Sequence, residues 1–169
     1  MIYLLPLLAP AILIAAAIVA FRGPGLRPRL TLRVAEGAAL VSIIVAAATA
    51  VLLGVSGAGT APGLGVGAVA LAPRVDMVSV VMLLLVSFVG WIVLRFAATY
   101  VDGEDRQGAF TGWMLSVLAS VLLLVQAGTL VQFVLAWIAT GVFLHRLLLV
   151  YPDRVPVQRA ARKKAVTSR

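Results

Sequence analysis

At 169 residues, 63% of them hydrophobic, the chain is excluded from the soluble globular class: no water-soluble domain of this size buries that much apolar surface. It has no cysteine, which excludes disulfides, thiolate metal sites and cysteine catalysis, and its single histidine, His145, cannot build a histidine-rich metal site alone. The net charge of +8 argues for membrane topology and against nucleic acid, because the basic residues flank apolar runs.

The apolar runs predict an all-α, polytopic bundle of about five membrane helices at roughly 20 residues per span. Helix one covers about Ile2–Phe21. No basic residue precedes it and Arg22 follows it, the reverse of a secretory signal, so it is expected to be retained. Pro6 lies in its first turns, and Pro10 is a candidate kink. After Gly23-Pro24-Gly25 and Pro28, helix two covers about Val34–Gly54, with Arg33 and Glu36 spaced i,i+3 to pair at the interface. Ser56–Pro73 is rich in Gly, Ala and Pro and reads as an irregular loop with room for short extended pieces.

Helix three covers about Met77–Tyr100. Asp76 with Ser79 has the form of an N-cap, and Arg74 is placed to pair with Asp76. Asp102–Gln107 is a short charged loop. Ala109–Leu144 is uncharged but too long for one span; a break at Gln126-Ala127-Gly128-Thr129 divides it into helix four (about Gly108–Val125) and helix five (about Leu130–Tyr151). Gln126 and Thr129 are expected to satisfy backbone groups at that turn. Gly90, Gly112 and Gly141 are expected to allow close helix contact, and Trp91, Trp113 and Trp137 to act as packing or interface anchors. The domain division is therefore a transmembrane domain over 1–151 and a basic tail over 152–169. In the tail, Arg159, Arg162, Lys163 and Lys164 are candidates for contact with lipid or a partner. Placing the N-terminus outside puts all but one of the 14 basic residues on the inner face, Arg74 being the exception; this predicts N outside and C inside.

Few ionisable groups lie at membrane depth. His145 and Arg146 are five to six residues before the expected end of helix five, roughly 8–9 Å along its axis. One reading is snorkelling of Arg146 with His145 hydrogen-bonded to a neighbouring helix. The other makes them candidates for the inner mouth of an ion path, since imidazole titrates near neutral pH. Asp102, Glu104 and Asp105 fall on the same side and read as a solvated loop. The chain offers no phosphate loop, nucleophile–base pair or metal-ligand cluster, so enzymatic chemistry, cofactors and metals are not expected.

From Asp76 onward the order of residues is more specific. Asp76-Met77-Val78-Ser79, Val89-Gly90-Trp91, Tyr100-Val101-Asp102-Gly103, Ala136-Trp137 and Ala160-Ala161-Arg162-Lys163-Lys164 resemble the N-terminal part of antiporter-like membrane subunits, which include chain 5 of respiratory complex I and the large subunit of cation/proton antiporters. Trp137 followed by Leu144-His145-Arg146-Leu147-Leu148, then Tyr151-Pro152-Asp153-Arg154, is most like the DabB-type membrane subunit of inorganic-carbon transporters. The resemblance covers residues 76–169. It implies the first five helices of a proton- or sodium-coupled transport subunit of a bacterial inner membrane, as a fragment, split subunit or degenerate copy. It also implies that other membrane subunits or the remainder of the same protein complete the machinery, with a soluble, zinc-containing, carbonic-anhydrase-like partner on the cytoplasmic face. Ile138 departs from the complex I pattern, where glutamate commonly follows the helix-five tryptophan, and the conduction lysine of the family would fall beyond Arg169. The alternatives are a non-conducting assembly or anchoring subunit, or a complex I or antiporter subunit.

Overall fold

The computed structural model describes residues 2–23, 29–61, 71–100 and 107–150. Among them five helices are long and apolar enough to cross a membrane: α1 (Leu8–Arg22, entered through a 3-10 turn over Ile2–Leu7), α2 (Arg29–Ser56), α3 (Met77–Tyr100), α4 (Gln107–Val125) and α5 (Leu130–Leu148). The two-residue strands β1 (Gly59–Thr60) and β2 (Arg74–Val75) pair antiparallel, Gly59 with Val75. The protein is a multi-pass, all-helical membrane protein, and the extended pieces expected between helices two and three are this small pair.

Most boundaries follow from the residues. Pro6 sits in the 3-10 turn and Pro10 in the first turn of α1, where a missing N–H interrupts no helical bond. The helix therefore changes pitch at its entry, from the 3-10 turn to the α-helix that carries Pro10. α2 begins five residues before the expected Val34. Hydropathy marks the membrane span, whereas nothing in Arg29–Arg33 opposes helix, so its arginine-bearing first turn extends past the apolar segment. α2 stops at Gly57, whose φ of 75° is the left-handed conformation glycine adopts at helix C-termini; its N–H returns to the Leu53 carbonyl at 3.0 Å.

The helices α1, α2, α3 and α4 pack in a ring in that order, closed by α3 against α4, while α5 rests chiefly on α4. Small residues line the ring: Ala9, Ala16, Ala17 and Ala20 on α1, and Ala35, Ala38, Ala39 and Ala46 on α2, all buried. Lipid tails are as apolar as leucine, so helix association depends on close van der Waals approach, which alanine and glycine permit. Gly112 lies against the Phe21 ring, 2.8 Å from where a Cβ would stand, and Gly90 faces Leu118. Gly141 has nothing within 4 Å and makes no such contact, contrary to expectation, because it lies on the open side of α5. Trp113 packs edge-on to Phe21 with ring centroids 4.9 Å apart, whereas Trp137 is 67% exposed on α5.

One end of the bundle is cross-tied. The Arg74 N–H donates to the Gln126 carbonyl at 2.9 Å, Pro73 bridges Ala127, and the Tyr3 hydroxyl donates to the Ser56 carbonyl at 3.2 Å. Thr129 caps α5 by accepting from the Gln132 N–H at 3.2 Å. Gln132, not Gln126, is the side chain that satisfies backbone here. Its Oε1 accepts from the Ala72 N–H at 3.0 Å and its Nε2 donates to the Leu123 carbonyl at 3.4 Å. The Gln126 amide is buried without a hydrogen-bond partner among the described residues.

Candidate functional site

The opposite end carries Arg22, Arg33, Arg95 and Arg146, and a cavity of about 440 Å³ opens there between α2, α3 and the start of α4. Arg33 and Glu36 enter it from α2, Arg95 and Thr99 from α3, and Thr111 from α4. The Arg95 Nε lies 3.9 Å from Glu36 Oε1, and its guanidinium stands 5.6 Å from the centre of the Trp91 ring. The partner of Glu36 is thus Arg95 across the helix interface, in place of the expected Arg33 one turn away. Consecutive helices run antiparallel, so the start of α2 and the end of α3 meet at one depth, and the cross-helix partner prevails over the local one.

Both members of the pair remain largely exposed, with side-chain accessibilities of 65% and 44%, so its contribution to stability is roughly 0–1 kcal/mol. Its importance lies in charge: two guanidiniums and one carboxylate ring a water-open recess at the edge of an apolar bundle. Behind them Gln107 is fully buried, donating to the Ala98 carbonyl at 3.3 Å, and the Thr111 hydroxyl donates to the Gln107 carbonyl at 2.9 Å. The cavity can hold water or a small anion beside arginine. No group of three or more metal-ligating side chains occurs among the described residues.

His145 and Arg146 lie outside this recess. They occupy the last turn of α5, which ends at Leu148 and not at Tyr151; the Leu149 N–H closes it on the His145 carbonyl at 3.2 Å. Both side chains are exposed. They therefore sit about 3–5 Å from the helix end, nearer than expected, where a cation is favoured by the helix dipole. Arg159, Arg162, Lys163 and Lys164, and the acidic loop with Asp102, Glu104 and Asp105, lie outside the described residues.

At the cross-tied end, Asp76 Oδ1 accepts from the Ser79 N–H at 2.8 Å, the Asp76 N–H donates to Ser79 Oγ at 2.9 Å, and Arg74 Nε lies 2.9 Å from Asp76 Oδ2. The bond from the Ser79 backbone N–H holds the Asp76 carboxyl below its ordinary 3.8; partial burial opposes this, while the Ser79 hydroxyl and Arg74 reinforce it. A depressed folded value means the cap's ionic contribution is complete above pH 3.8 and is lost as pH falls through the lower folded value. Asp76→Ala should cost about 1 kcal/mol in thermal unfolding in detergent at neutral pH, and Asp76→Asn, which keeps the accepting oxygen, less. An equal loss in both variants would assign the stabilisation to charge.

The segment containing α3 and the start of α4 is also where similarity to known proteins is found. Residues 65–111 match the family described as NADH-Ubiquinone oxidoreductase (complex I), chain 5 N-terminus. Over that segment the chain is similar to that family. It is 42% identical over 89 residues to a probable inorganic carbon transporter subunit DabB2 of Halothiobacillus neapolitanus, and 32% identical over 90 residues to a probable inorganic carbon transporter subunit DabB of Hydrogenovibrio crunogenus. It is 29% identical over 89 residues to NADH-ubiquinone oxidoreductase chain 5 of Acanthamoeba castellanii. Each alignment covers 53% of this chain but only 16%, 17% and 13% of the respective relative, so the chain matches at most about a sixth of the length of these relatives. The resemblance expected from the sequence is therefore found over about half the chain, to inorganic carbon transporter subunits and to complex I chain 5.

Proposed function

We propose that this chain is the N-terminal part of a proton- or sodium-coupled transport subunit of the DabB type, serving uptake of inorganic carbon across a bacterial plasma membrane. The observation that carries this reading is the greater identity to two inorganic carbon transporter subunits than to a complex I chain. The collection of arginines at one end of the bundle supports an orientation with the N-terminus outside and the C-terminus in the cytoplasm. In this reading α4 and α5 begin a helical repeat that borders a hydrated path completed by other membrane segments. His145 and Arg146 set the potential at its inner mouth, and Arg159, Arg162, Lys163 and Lys164 contact anionic lipid or a soluble, zinc-containing, carbonic-anhydrase-like subunit.

The test is to express the complete system in a bacterial strain that needs elevated CO2. Growth in air should be restored, and His145→Ala should abolish it while the subunits still copurify. Unchanged bicarbonate uptake by the variant across pH would remove that side chain from transport, and failure of the complete system to restore growth would overturn the carbon reading. A second reading, an assembly subunit, is favoured by the outward apolar face of α5, where Phe133, Trp137 and Ile138 are exposed. It is distinguished by loss of the whole complex on deletion of the chain and by the absence of an uptake defect in any side-chain variant that assembles.

A further inference from the structure

Two buried polar atoms lie below the arginine-end cavity, on the inward stripe of α3. Ser87 is 0% exposed and its hydroxyl has no hydrogen-bond partner among the described residues; the same holds for Trp91 Nε1. Several other helical hydroxyls are satisfied locally. Ser42 donates to the Ala39 carbonyl at 2.7 Å, Thr49 to Val45 at 2.8 Å, and Ser116 to Gly112 at 2.9 Å. Ser87 makes no such bond.

The spacing links these atoms to the cavity. Ser87, Trp91 and Arg95 recur every four residues, on one side of the helix, one above another. Arg95 stands over the Trp91 ring and reaches Glu36, and Arg95 and Glu36 both line the cavity. From Arg95 to Ser87 is about 12 Å along the axis, which carries the stripe well into the membrane. α2, which packs against α3, carries small buried side chains at Ala38, Ala39 and Ser42. An indole N–H and a hydroxyl at such depth need an acceptor, and water supplies one wherever a polar passage reaches them.

We propose that the charged cavity continues as a narrow water-filled inlet along α3, in which water accepts from Trp91 Nε1 and hydrogen-bonds Ser87 Oγ at the deep end. The Glu36–Arg95 pair stands at its mouth, and the ligand is water or a hydrated proton. The inlet requires only that α3 cross the membrane, and does not depend on the carbon-transport reading.

The native chain has no cysteine, so single cysteines report without a background. Ser87→Cys, Thr99→Cys at the cavity and Val89→Cys on the exposed side of α3 are each made in the full chain, in membranes. Each is treated with silver ion, a probe close to water in size, then denatured and labelled with fluorescent maleimide to count the thiols left free. Thiolate is the reacting form and an apolar surrounding suppresses it, so Ser87→Cys should be protected about tenfold faster than Val89→Cys and approach Thr99→Cys. Protection of Ser87→Cys at the Val89→Cys rate overturns the inlet. A second measurement leaves position 87 native: in W113F/W137F, Trp91 is the only indole, and its emission should rise in D2O as its N–H exchanges. Unchanged emission also overturns the proposal.

Discussion

Replacing Gly128 with alanine should cost about 2–3 kcal/mol, among the largest effects available from one methyl group in this protein. A Cβ at Gly128 would land on the backbone carbonyl of Ala72. Backbone cannot rotate aside as a flexible side chain can, so either the α4–α5 turn or the segment before β2 has to move. That segment holds several bonds at once: the Ala72 N–H to Gln132, the Arg74 N–H to Gln126, and the bridge between Pro73 and Ala127. Their loss would leave backbone N–H and carbonyl groups at this end without partners, which is costly where they are buried. The measurement is the thermal midpoint of the purified protein in detergent, compared with Gly141→Ala, which meets nothing within 4 Å and should be neutral or slightly stabilising. Equal midpoints for the two variants would show that the cross-tied end contributes little.

The second large effect is expected at the other end. Gly108, in the first turn of α4, lies against the C-terminal backbone of α1, with the Ala20 carbonyl 3.0 Å and the Gly23 carbonyl 3.3 Å from a Cβ position. Alanine would demand a shift of only a few tenths of an ångström. Gly108→Leu would force α1 and α4 apart, at about 3 kcal/mol or more. It should also widen the recess holding Glu36 and Arg95, because Thr111 is one turn along the same helix. Increased protease sensitivity at the α1–α2 connection, alongside the lowered midpoint, would locate the opening. A leucine variant as stable as the native chain would mean that α1 and α4 do not approach this closely.

These costs exceed that of breaking the Glu36–Arg95 pair, which is largely solvated. The same difference separates what the sequence disclosed from what it did not. α3 runs over Met77–Tyr100 as expected, because Asp76 supplies a cap beside a long apolar run. The turn between α4 and α5 was marked by Gln126-Ala127-Gly128-Thr129 within an uncharged stretch. Hydropathy was silent on where α2 begins, since arginines extend a helix without extending the span. The recess was not legible, because it exists only when α2, α3 and α4 converge. A signal was nonetheless present: counting basic residues by side already placed Arg95 level with Arg33 and Glu36. The exchange of Gln126 for Gln132 as the backbone-satisfying residue, and the isolation of Ser87 and Trp91 Nε1, depend on side-chain direction, which periodicity does not resolve.

The attachment of α5 to α4 has a consequence for how the bundle holds together. The contacts that close the ring lie among α1, α2, α3 and α4 and require nothing from α5. α5 then joins a finished surface instead of completing an unfinished one. Within this five-helix body it is the segment with the fewest neighbours to hold it in place.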